Sequence, residues 1–415
     1  MSRGASDIAM LKLEVLQGFV TKWTNVPDMS LANLLSSSDS PSSKIKWESY
    51  EGSRGMTPFV PPGSPAPVTS GLGAAEHEAE AAYWKEKRYF DEEFLNNLKK
   101  PGTESTHMEA KQKLAQELGD MVNRCMRRRQ WMVSQMFFSG AFNYSTKGGV
   151  KISMNYSIPT AHNVALTAPY QWNTGTSRDI WQNIIDGKRV ISDACGAKAD
   201  LCICNSKVLG YLAKDPVIQT LLQKSAFGSG DLFKGSVDKI IGANPDVIAS
   251  LLGLGKLMVF DEKYEVRAYL TAVVTASSTT AIAVEDTADF EVGGTLRFHD
   301  VSEGTWEDET ISAVSAEAGT VTVSAAPSTS YRAGEDYVSM VKGYVPDDKF
   351  LMMATKVDGK PIAQFKKAPY GNNRTYGLRT TRKDEWDPEG IWIRVEDKGL
   401  PILFQRDALY ILDVA

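Results

Sequence analysis

Residues 106–139 read THMEAKQKLAQELGDMVNRCMRRRQWMVSQMFFS and carry the strongest helical pattern in the chain. Apolar side chains recur in it at three- and four-residue spacing, which places them on one face of a helix. They are Leu114, Leu118, Met121, Val122, Cys125, Met132 and Met136. Thr106 and Glu109 match a capping box, and Gly140 ends the pattern. At about 1.5 Å per residue the predicted helix is roughly 50 Å long, more than the core of most small domains needs.

A basic run lies near the carboxyl end of this helix. It consists of Arg124, Arg127, Arg128 and Arg129. One interpretation is contact with nucleic acid or with an acidic partner. The other, which we favour, is a solvated face or salt bridges with neighbouring segments, because charged runs on helices are usually of that kind.

The chain before the helix has little capacity to bury itself. Residues 1–43 hold one amphipathic stretch, at 11–20, and then a Ser-rich tract, so they predict an arm that needs a neighbour. Residues 44–50 alternate polar and apolar side chains and predict a strand, and residues 79–90 predict the strand that returns. Between them lie Gly52, Gly55, Pro58, Pro61, Pro62, Gly63, Pro65, Pro67, Gly71 and Gly73. A loop this long tends to be functional or bound to a partner.

The chain after the helix alternates strands and helices, as in a compact α/β unit. Strands are predicted at 150–156, 163–166, 201–204 and 257–260, and helices at 180–190, 206–212 and 217–223. Late strands are predicted at 349–355, 391–395 and 409–412, with a turn at 371–374.

Residues 264–340 are rich in Val, Thr, Ala and Ser and predict short strands separated by turns. Three pairs of segments resemble each other at an offset of about forty residues. They are 272–276 with 312–316, 281–284 with 320–323, and 290–293 with 331–334. Two copies are too few for a solenoid. We therefore expect a small closed β-barrel or sandwich of two similar halves, inserted into the α/β unit.

Composition restricts the function. The 415 residues include 46 Lys+Arg and 51 Asp+Glu, and the net charge of −5 argues against a dedicated nucleic-acid-binding protein. Four cysteines are too few for a disulfide framework and indicate a reducing compartment. Cys202 and Cys204 share one face of a predicted buried strand, so we expect core residues. No apolar run has the length of a membrane span or the form of a signal peptide.

Motifs of catalysis and metal binding are missing from the sequence. The four histidines are scattered singly, without metal-ligand spacing, and we expect surface or satisfied polar side chains. They are His77, His107, His162 and His299. Neither a GxSxG elbow nor a complete phosphate-binding loop is present.

The order of these elements resembles that of the major capsid proteins of tailed bacteriophages, in particular the lambda-like capsid protein E family with the Hong Kong 97 fold. The matching features are the arm, the Pro-rich loop tip at 57–63, the long helix with its ending RRQWM, the strand at 150–156 and the late strands. Two departures are clear. Arg128-Arg129-Gln130 stands where the family often carries an Arg-Glu pair, and residues 264–340 exceed the minimal fold.

The resemblance implies an α+β Hong Kong 97-type capsid fold with an inserted all-β domain. Its parts are an N-terminal arm (1–43), an extended two-stranded loop (44–98), a peripheral domain with a spine helix (99–175), an axial α/β domain (176–263), the inserted β-barrel or sandwich (264–342) and return strands that complete the axial and peripheral domains (343–415).

The function implied by the resemblance is self-assembly into the icosahedral head shell of a tailed phage, around its DNA genome. The protein would act in the virion after assembly in the bacterial cytoplasm, without a catalytic residue, cofactor, metal ion or membrane. Its partners would be its own copies in hexamers and pentamers, a separate scaffolding protein, the portal, packaged double-stranded DNA through weak non-specific contact, and a decoration protein as a further possible partner. The expected inter-subunit contacts are Trp47, Arg54, Pro58, Phe59, Pro61 and Arg88.

Two other function classes remain open at this point. The repeat-like β segment also suits a phage tail or baseplate protein, but such a protein does not predict the long helix beside a Pro-tipped loop. A hydrolase using Asp261-Glu262 or Asp384-Glu385 is much less favoured, because adjacent residues of a strand point to opposite sides.

Overall fold

The computed structural model describes residues 11–22, 29–50, 56–57, 59–65, 68, 74–99, 105–145, 151–174, 177–224, 244–371 and 374–415. Within them the helices are α1 (Leu13–Lys22), α2 (Ser30–Asn33), α3 (Glu92–Lys99), α4 (Ser105–Phe138), α5 (Ile180–Cys195), α6 (Ser206–Ala213), α7 (Pro216–Lys224) and α8 (Pro245–Leu251). Single 3₁₀ turns lie at Thr160–His162 and Arg406–Ala408. None of the described helices combines the length and the apolar composition needed to cross a membrane.

The strands of the first half are β1 (Ser36–Asp39), β2 (Lys44–Tyr50), β3 (Ala74–Glu80), β4 (Ala82–Asp91), β5 (Ala141–Ser145), β6 (Lys151–Asn155), β7 (Asn163–Ala165), β8 (Leu201–Cys204), β9 (Lys256–Val259), β10 (Lys263–Tyr269) and β11 (Ala281–Ala283). Those that follow are β12 (Thr295–Asp300), β13 (Thr305–Ser315), β14 (Thr320–Val323), β15 (Tyr337–Gly343), β16 (Lys349–Met353), β17 (Lys356–Val357), β18 (Lys360–Pro361), β19 (Ala363–Lys367), β20 (Arg379–Trp386), β21 (Glu389–Leu403) and β22 (Leu409–Asp413).

The long helix predicted from the apolar stripe is confirmed as α4, whose ends differ by one residue from those expected. All seven side chains of the predicted stripe are at most 4% exposed. Gly140, with φ +65°, follows the last turn, and glycine adopts this backbone conformation at little cost. The side chains of residues 105–108, and with them the predicted capping box at Thr106, lie outside the described residues.

The chain divides into two compact units, and the first comprises residues 1–137, 187–199 and 353–410. Its main sheet has the order β1-β19-β21-β20, and β4 also pairs with β21 over ten residues. One face of β4 and β21 packs on α1, α3 and α4, in a core that includes Phe90, Leu118, Val122 and Ile393. The spine helix is therefore stabilised by apolar burial along a sheet of its own unit.

The prediction of a single return strand at 79–90 is corrected by the structure. The structure divides this stretch at Ala81, whose N–H donates to the carbonyl of Ser43 at 2.9 Å. β3 pairs with β2, whereas β4 leaves the loop and joins β21. Alternation of polar and apolar residues gives the strand but not its partner, which is why the sequence did not separate the two.

The second unit comprises residues 138–186, 200–352 and 411–415. It holds the hairpin β5·β6 and most of the sheet β7-β22-β16-β8-β9, in which β8 and β9 are parallel. The strands and helices predicted between 150 and 260 all lie within two or three residues of observed elements, apart from the carboxyl end of α5. Cys202 and Cys204 are fully buried on β8, as expected for core residues.

Residues 263–343 form a sheet with the order β10-β15-β12-β13-β14-β11, and a bridge between Leu270 and Val284 closes it into a ring. Its interior is apolar and is built around Phe298, Tyr331 and Val338. In the second proposed pair, equivalent residues lie opposite each other, since Ile282 pairs with Val321. Phe298 and Val338, forty positions apart, are also paired. The first proposed pair differs, because 312–315 belongs to β13 whereas 272–276 contributes a single bridge. The domain boundaries given above stay a prediction.

Candidate assembly surface

The hairpin β2·β3 has two distinct faces, because its side chains alternate. On one face Ile45, Trp47 and Ser49 are at most 7% exposed. The Trp47 ring stacks on His77 at 5.4 Å between centroids, and Ser49 Oγ lies 2.8 Å from His77 Nε2. Trp47 was expected to contact a neighbouring subunit. In the structure its side chain is buried within its own chain.

The opposite face of the hairpin is charged and exposed. Lys44 lies 3.2 Å from Glu78, and Lys46 bridges Glu78 at 3.2 Å and Glu76 at 3.9 Å. Hydrogen bonds from the two lysines lower the pKa of Glu78. Such exposed pairs contribute little to stability. They keep this face polar.

The hairpin is joined to the rest of the first unit at both ends of β2. Tyr50 N–H donates to the carbonyl of Phe404 at 2.9 Å, and Lys398 Nζ donates to Ser43 Oγ at 2.7 Å. These contacts hold both ends of β2 against β21 and the residue that follows it.

The tip carries large apolar side chains with no cover in the described structure. Met56 is 93% exposed, Phe59 103% and Val68 101%, and Pro61 is also exposed. Single exposed apolar residues are ordinary, whereas contiguous exposed apolar patches are typical of interaction sites, so these side chains are candidates for an assembly contact. Arg54 and Pro58, which were expected to contact a neighbouring subunit, lie outside the described residues.

Arg88 is placed differently from the expectation. It lies on β4 rather than on the two-stranded loop, and its guanidinium binds the carboxylates of Glu117 and Asp120 on α4. Burial lowers the pKa of Arg88, but hydrogen bonds to these carboxylates outweigh it and raise the pKa overall. Arg88 therefore joins β4 to the spine helix within one chain.

Two arginines of the basic run of α4 also make contacts within their own chain. Arg124 Nε lies 3.0 Å from a Glu86 carboxylate oxygen. Arg129 donates to Ser37 Oγ at 2.6 Å and packs over the Phe365 ring at 4.0 Å. These contacts agree with the interpretation of salt bridges and packing between neighbouring segments rather than with a free nucleic-acid-binding surface.

The residues weighed for chemistry have structural contacts. Among the described residues no group of three or more His, Cys, Asp or Glu side chains has metal-binding geometry. His299 Nε2 lies 2.8 Å from Ser339 Oγ, and His162 is buried. Asp261 accepts from Ser206 N–H at 2.7 Å at the start of α6, and Asp384 pairs with Arg382 at 3.2 Å. The side chain of His107 lies outside the described residues.

The comparisons with known proteins agree with this architecture. The family described as phage major capsid protein E matches residues 12–240, more than half of the chain. A putative capsid protein of a prophage of E. coli CFT073 is 11% identical, with a TM-score of 0.52 over 97% of this chain and 99% of that chain. A phage-related protein from Bordetella bronchiseptica RB50 is 8% identical, with a TM-score of 0.50 over 97% of both chains. No curated protein matches the sequence.

At these identities the two structures establish the fold, and the family match establishes the relationship. The expected Hong Kong 97-type α+β capsid fold is confirmed. The family match also sets aside a tail or baseplate protein. The chain thus belongs to the phage major capsid protein E family, and it is a structural component of the virion that assembles into the head shell.

Proposed function

We propose that the subunits form hexameric and pentameric rings that are joined across subunits by the tip of the β2·β3 hairpin. The observation that carries the proposal is the full exposure of Phe59, on the same loop as the exposed Met56, Pro61 and Val68. A side chain of this size stabilises a protein by about 1.5–3 kcal/mol when it is buried. A neighbouring subunit supplies that burial, and Phe59 and Pro61 are the proposed contacts.

The test compares Phe59→Ser with Val292→Ser, a control that removes an exposed apolar side chain from a turn of the barrel. Because Phe59 is exposed in the subunit, we expect the thermal midpoint of the free subunit to stay unchanged. The subunit concentration needed for shell formation should rise about tenfold or more in Phe59→Ser. Sedimentation and negative-stain microscopy measure it. Equal assembly of both variants and wild type would overturn the role of Phe59.

We further infer that a separate scaffolding protein and a portal take part in assembly, and that packaged DNA meets the shell through weak contact. The net charge of −5 and the internal use of Arg124 and Arg129 support weak rather than tight DNA binding. A decoration protein is a further proposed partner.

We also propose that the subunit catalyses no reaction. Burial raises the pKa of the Cys125 and Cys204 thiols, which makes them poor nucleophiles. The carboxylates weighed as catalytic pairs have hydrogen-bond or ion-pair partners that fit a structural role.

A further inference from the structure

The hairpin between β20 and β21 ends in an exposed tryptophan. Trp386 is 86% exposed, although tryptophan is one of the residues that proteins bury most completely on average. Trp386 and Glu389 form the last pair of the hairpin. This pair lies beyond the Gly390–Asp91 pair, where β4 ends. The indole therefore stands past the edge of the neighbouring strand.

The tip that carries Trp386 is braced by its own chain. The Tyr89 hydroxyl donates to the carbonyls of Pro388 and Glu389, each at 3.1 Å. The Tyr89 ring packs on Trp392 at 5.0 Å and covers Gly390, where any Cβ would collide with it. A support that is already fixed reduces the entropy lost when the tip binds a partner.

The charge of the tip is negative. Asp384 pairs with Arg382 and Glu385 with Lys383, each at 3.2 Å. Asp387 and Glu389 are exposed, and no ion pair is found for either of them within the described ranges. The free charge beside Trp386 therefore comes from two carboxylates.

A complementary surface lies on the open face of β4 and β21, opposite the face that packs on α4. Lys87 lies over the Trp392 ring at 4.2 Å, and Lys85 over the Tyr83 ring at 5.1 Å. Both lysines are exposed, and in the part of the chain that the structure describes neither has a carboxylate partner. We call the surface formed by Tyr83, Lys85, Lys87 and Trp392 the basic face.

Glu389 at the tip points away from the basic face of its own chain, because side chains alternate along β21 and Ile391 and Ile393, on the same side as Glu389, pack toward α4. Lys87 is paired with Arg394, five residues along β21 from Glu389. At about 3.3 Å per residue their backbones lie roughly 17 Å apart along the strand, and the Lys87 ammonium extends toward the tip as far as the Trp392 ring. Lys85 and Asp387 are farther apart still. The occupant of the basic face has to come from another molecule.

We propose that the tip of one subunit docks on the basic face of a second copy. Asp387 and Glu389 pair with Lys85 and Lys87, and the Trp386 indole packs against the lysine stems and the rim of Tyr83. The proposal rests on the proposed function, because it requires subunits to assemble. Since the tip meets a different surface, the contact is heterologous, the kind of contact from which the rings of the proposed function can be built.

Charge reversal with rescue tests this contact. The acidic variant Lys85→Glu with Lys87→Glu and the basic variant Asp387→Lys with Glu389→Lys should each raise the subunit concentration needed for assembly about tenfold or more. The four changes together should restore assembly most of the way to wild type. Trp386→Ala alone should weaken assembly by about as much as either charge reversal. Lys356→Glu with Lys360→Glu, at an exposed hairpin of the same unit, is the control for net charge.

Zero-length carbodiimide cross-linking tests the contact directly, because it joins only carboxylates and amines that touch. Shells assembled from isotopically heavy and light subunits should give mixed cross-links between Asp387 or Glu389 and Lys85 or Lys87, and dissociated subunits should give none. Shells from wild type without these cross-links, together with normal assembly of Trp386→Ala and both reversals, would overturn the docking contact and leave the shell function intact.

Two further outcomes are distinguishable. A wild-type subunit that forms no shells with any scaffolding protein overturns the proposed assembly, and the docking contact with it. If the acidic variant loses affinity for a DNA duplex and the four changes together fail to restore assembly, the basic face binds nucleic acid rather than a second subunit.

Discussion

The buried amide of Gln130 on α4 accepts a hydrogen bond from the backbone N–H of Ala32, with 3.3 Å between Oε1 and N. Gln130 is fully buried and Ala32 is 4% exposed. The bond joins α2, which belongs to the predicted N-terminal arm, to the spine helix. Since a buried N–H without a partner costs more than its hydrogen bond contributes, Gln130 fixes this part of the arm.

Gln130→Leu should therefore lower the unfolding free energy of the subunit by about 1–3 kcal/mol, because Ala32 N–H loses its acceptor in a buried place. Gln112→Leu makes the same change at an exposed position of α4 and should alter it by less than about 0.5 kcal/mol. Urea denaturation of unassembled subunits measures both. Equal midpoints for the two variants would contradict the role of Gln130.

The ion pairs of Arg88 give a second prediction. Arg88→Met should destabilise the free subunit by about 1 kcal/mol, since the pairs with Glu117 and Asp120 are partly exposed. In a double-mutant cycle with Glu117→Gln we expect a coupling of about 0.5–1 kcal/mol. Assembly at matched fractions of folded subunit should be unchanged. A loss of assembly without a loss of subunit stability would instead support the inter-subunit role first expected for Arg88.

Glu307 on β13 gives a prediction about pH. Its carboxylate accepts from Ser328 N–H at 2.9 Å, Thr329 N–H at 3.0 Å and the Tyr331 hydroxyl at 2.8 Å. Burial alone would raise the pKa of Glu307, but these hydrogen bonds hold it below the ordinary value. The stabilisation is present above the unfolded pKa of about 4.3 and is lost as the pH falls through the lower folded pKa.

Glu307→Gln should thus lower stability by about 1–2 kcal/mol at neutral pH, and the difference from wild type should shrink below about pH 4. Thermal denaturation across this range checks it. Glu317→Gln, at an exposed turn of the same barrel, should show no such pH dependence. A difference that grows toward acid pH would contradict the proposed cause.

The barrel should be separable from the rest of the subunit. Arg267 on β10 lies directly opposite Ser339 on β15, so the chain enters and leaves the barrel at one strand pair. Replacing residues 268–338 with Asn-Gly should close a two-residue hairpin there. We expect a soluble subunit that keeps the helicity of α4 by circular dichroism. An insoluble or unfolded product would show that the barrel stabilises the subunit fold.

Secondary structure is predicted best from the sequence where one face of a helix or strand is apolar over many residues. The stripe from Leu114 to Met136 repeats often enough to give α4 within one residue at each end. The hairpin β5·β6 was only half predicted, because residues 141–145 are short and their pairing with β6 depends on register.

The assembly residues are harder to predict, because their roles depend on partners far along the chain. Trp47 packs on His77 and Arg88 binds Glu117, and neither spacing leaves a sequence signature. Phe59 stays a prediction, made because a Pro-rich loop cannot bury it. Trp386, the residue of the proposed docking contact, was not among the predicted contacts, although Asp387-Pro388 between two alternating stretches is a turn signal that places a tryptophan at a hairpin tip.

The pairing of Phe298 with Val338, forty positions later, has a consequence for the origin of the barrel. When equivalent positions of two similar halves are paired with each other, the pairing has the pattern of a symmetric homodimer. A unit of this length is too small to bury a core alone. Covalent fusion of two such units replaces a bimolecular association by an intramolecular one, at an effective concentration of roughly millimolar. The duplication predicted from the sequence would thus have made a concentration-dependent dimer permanent.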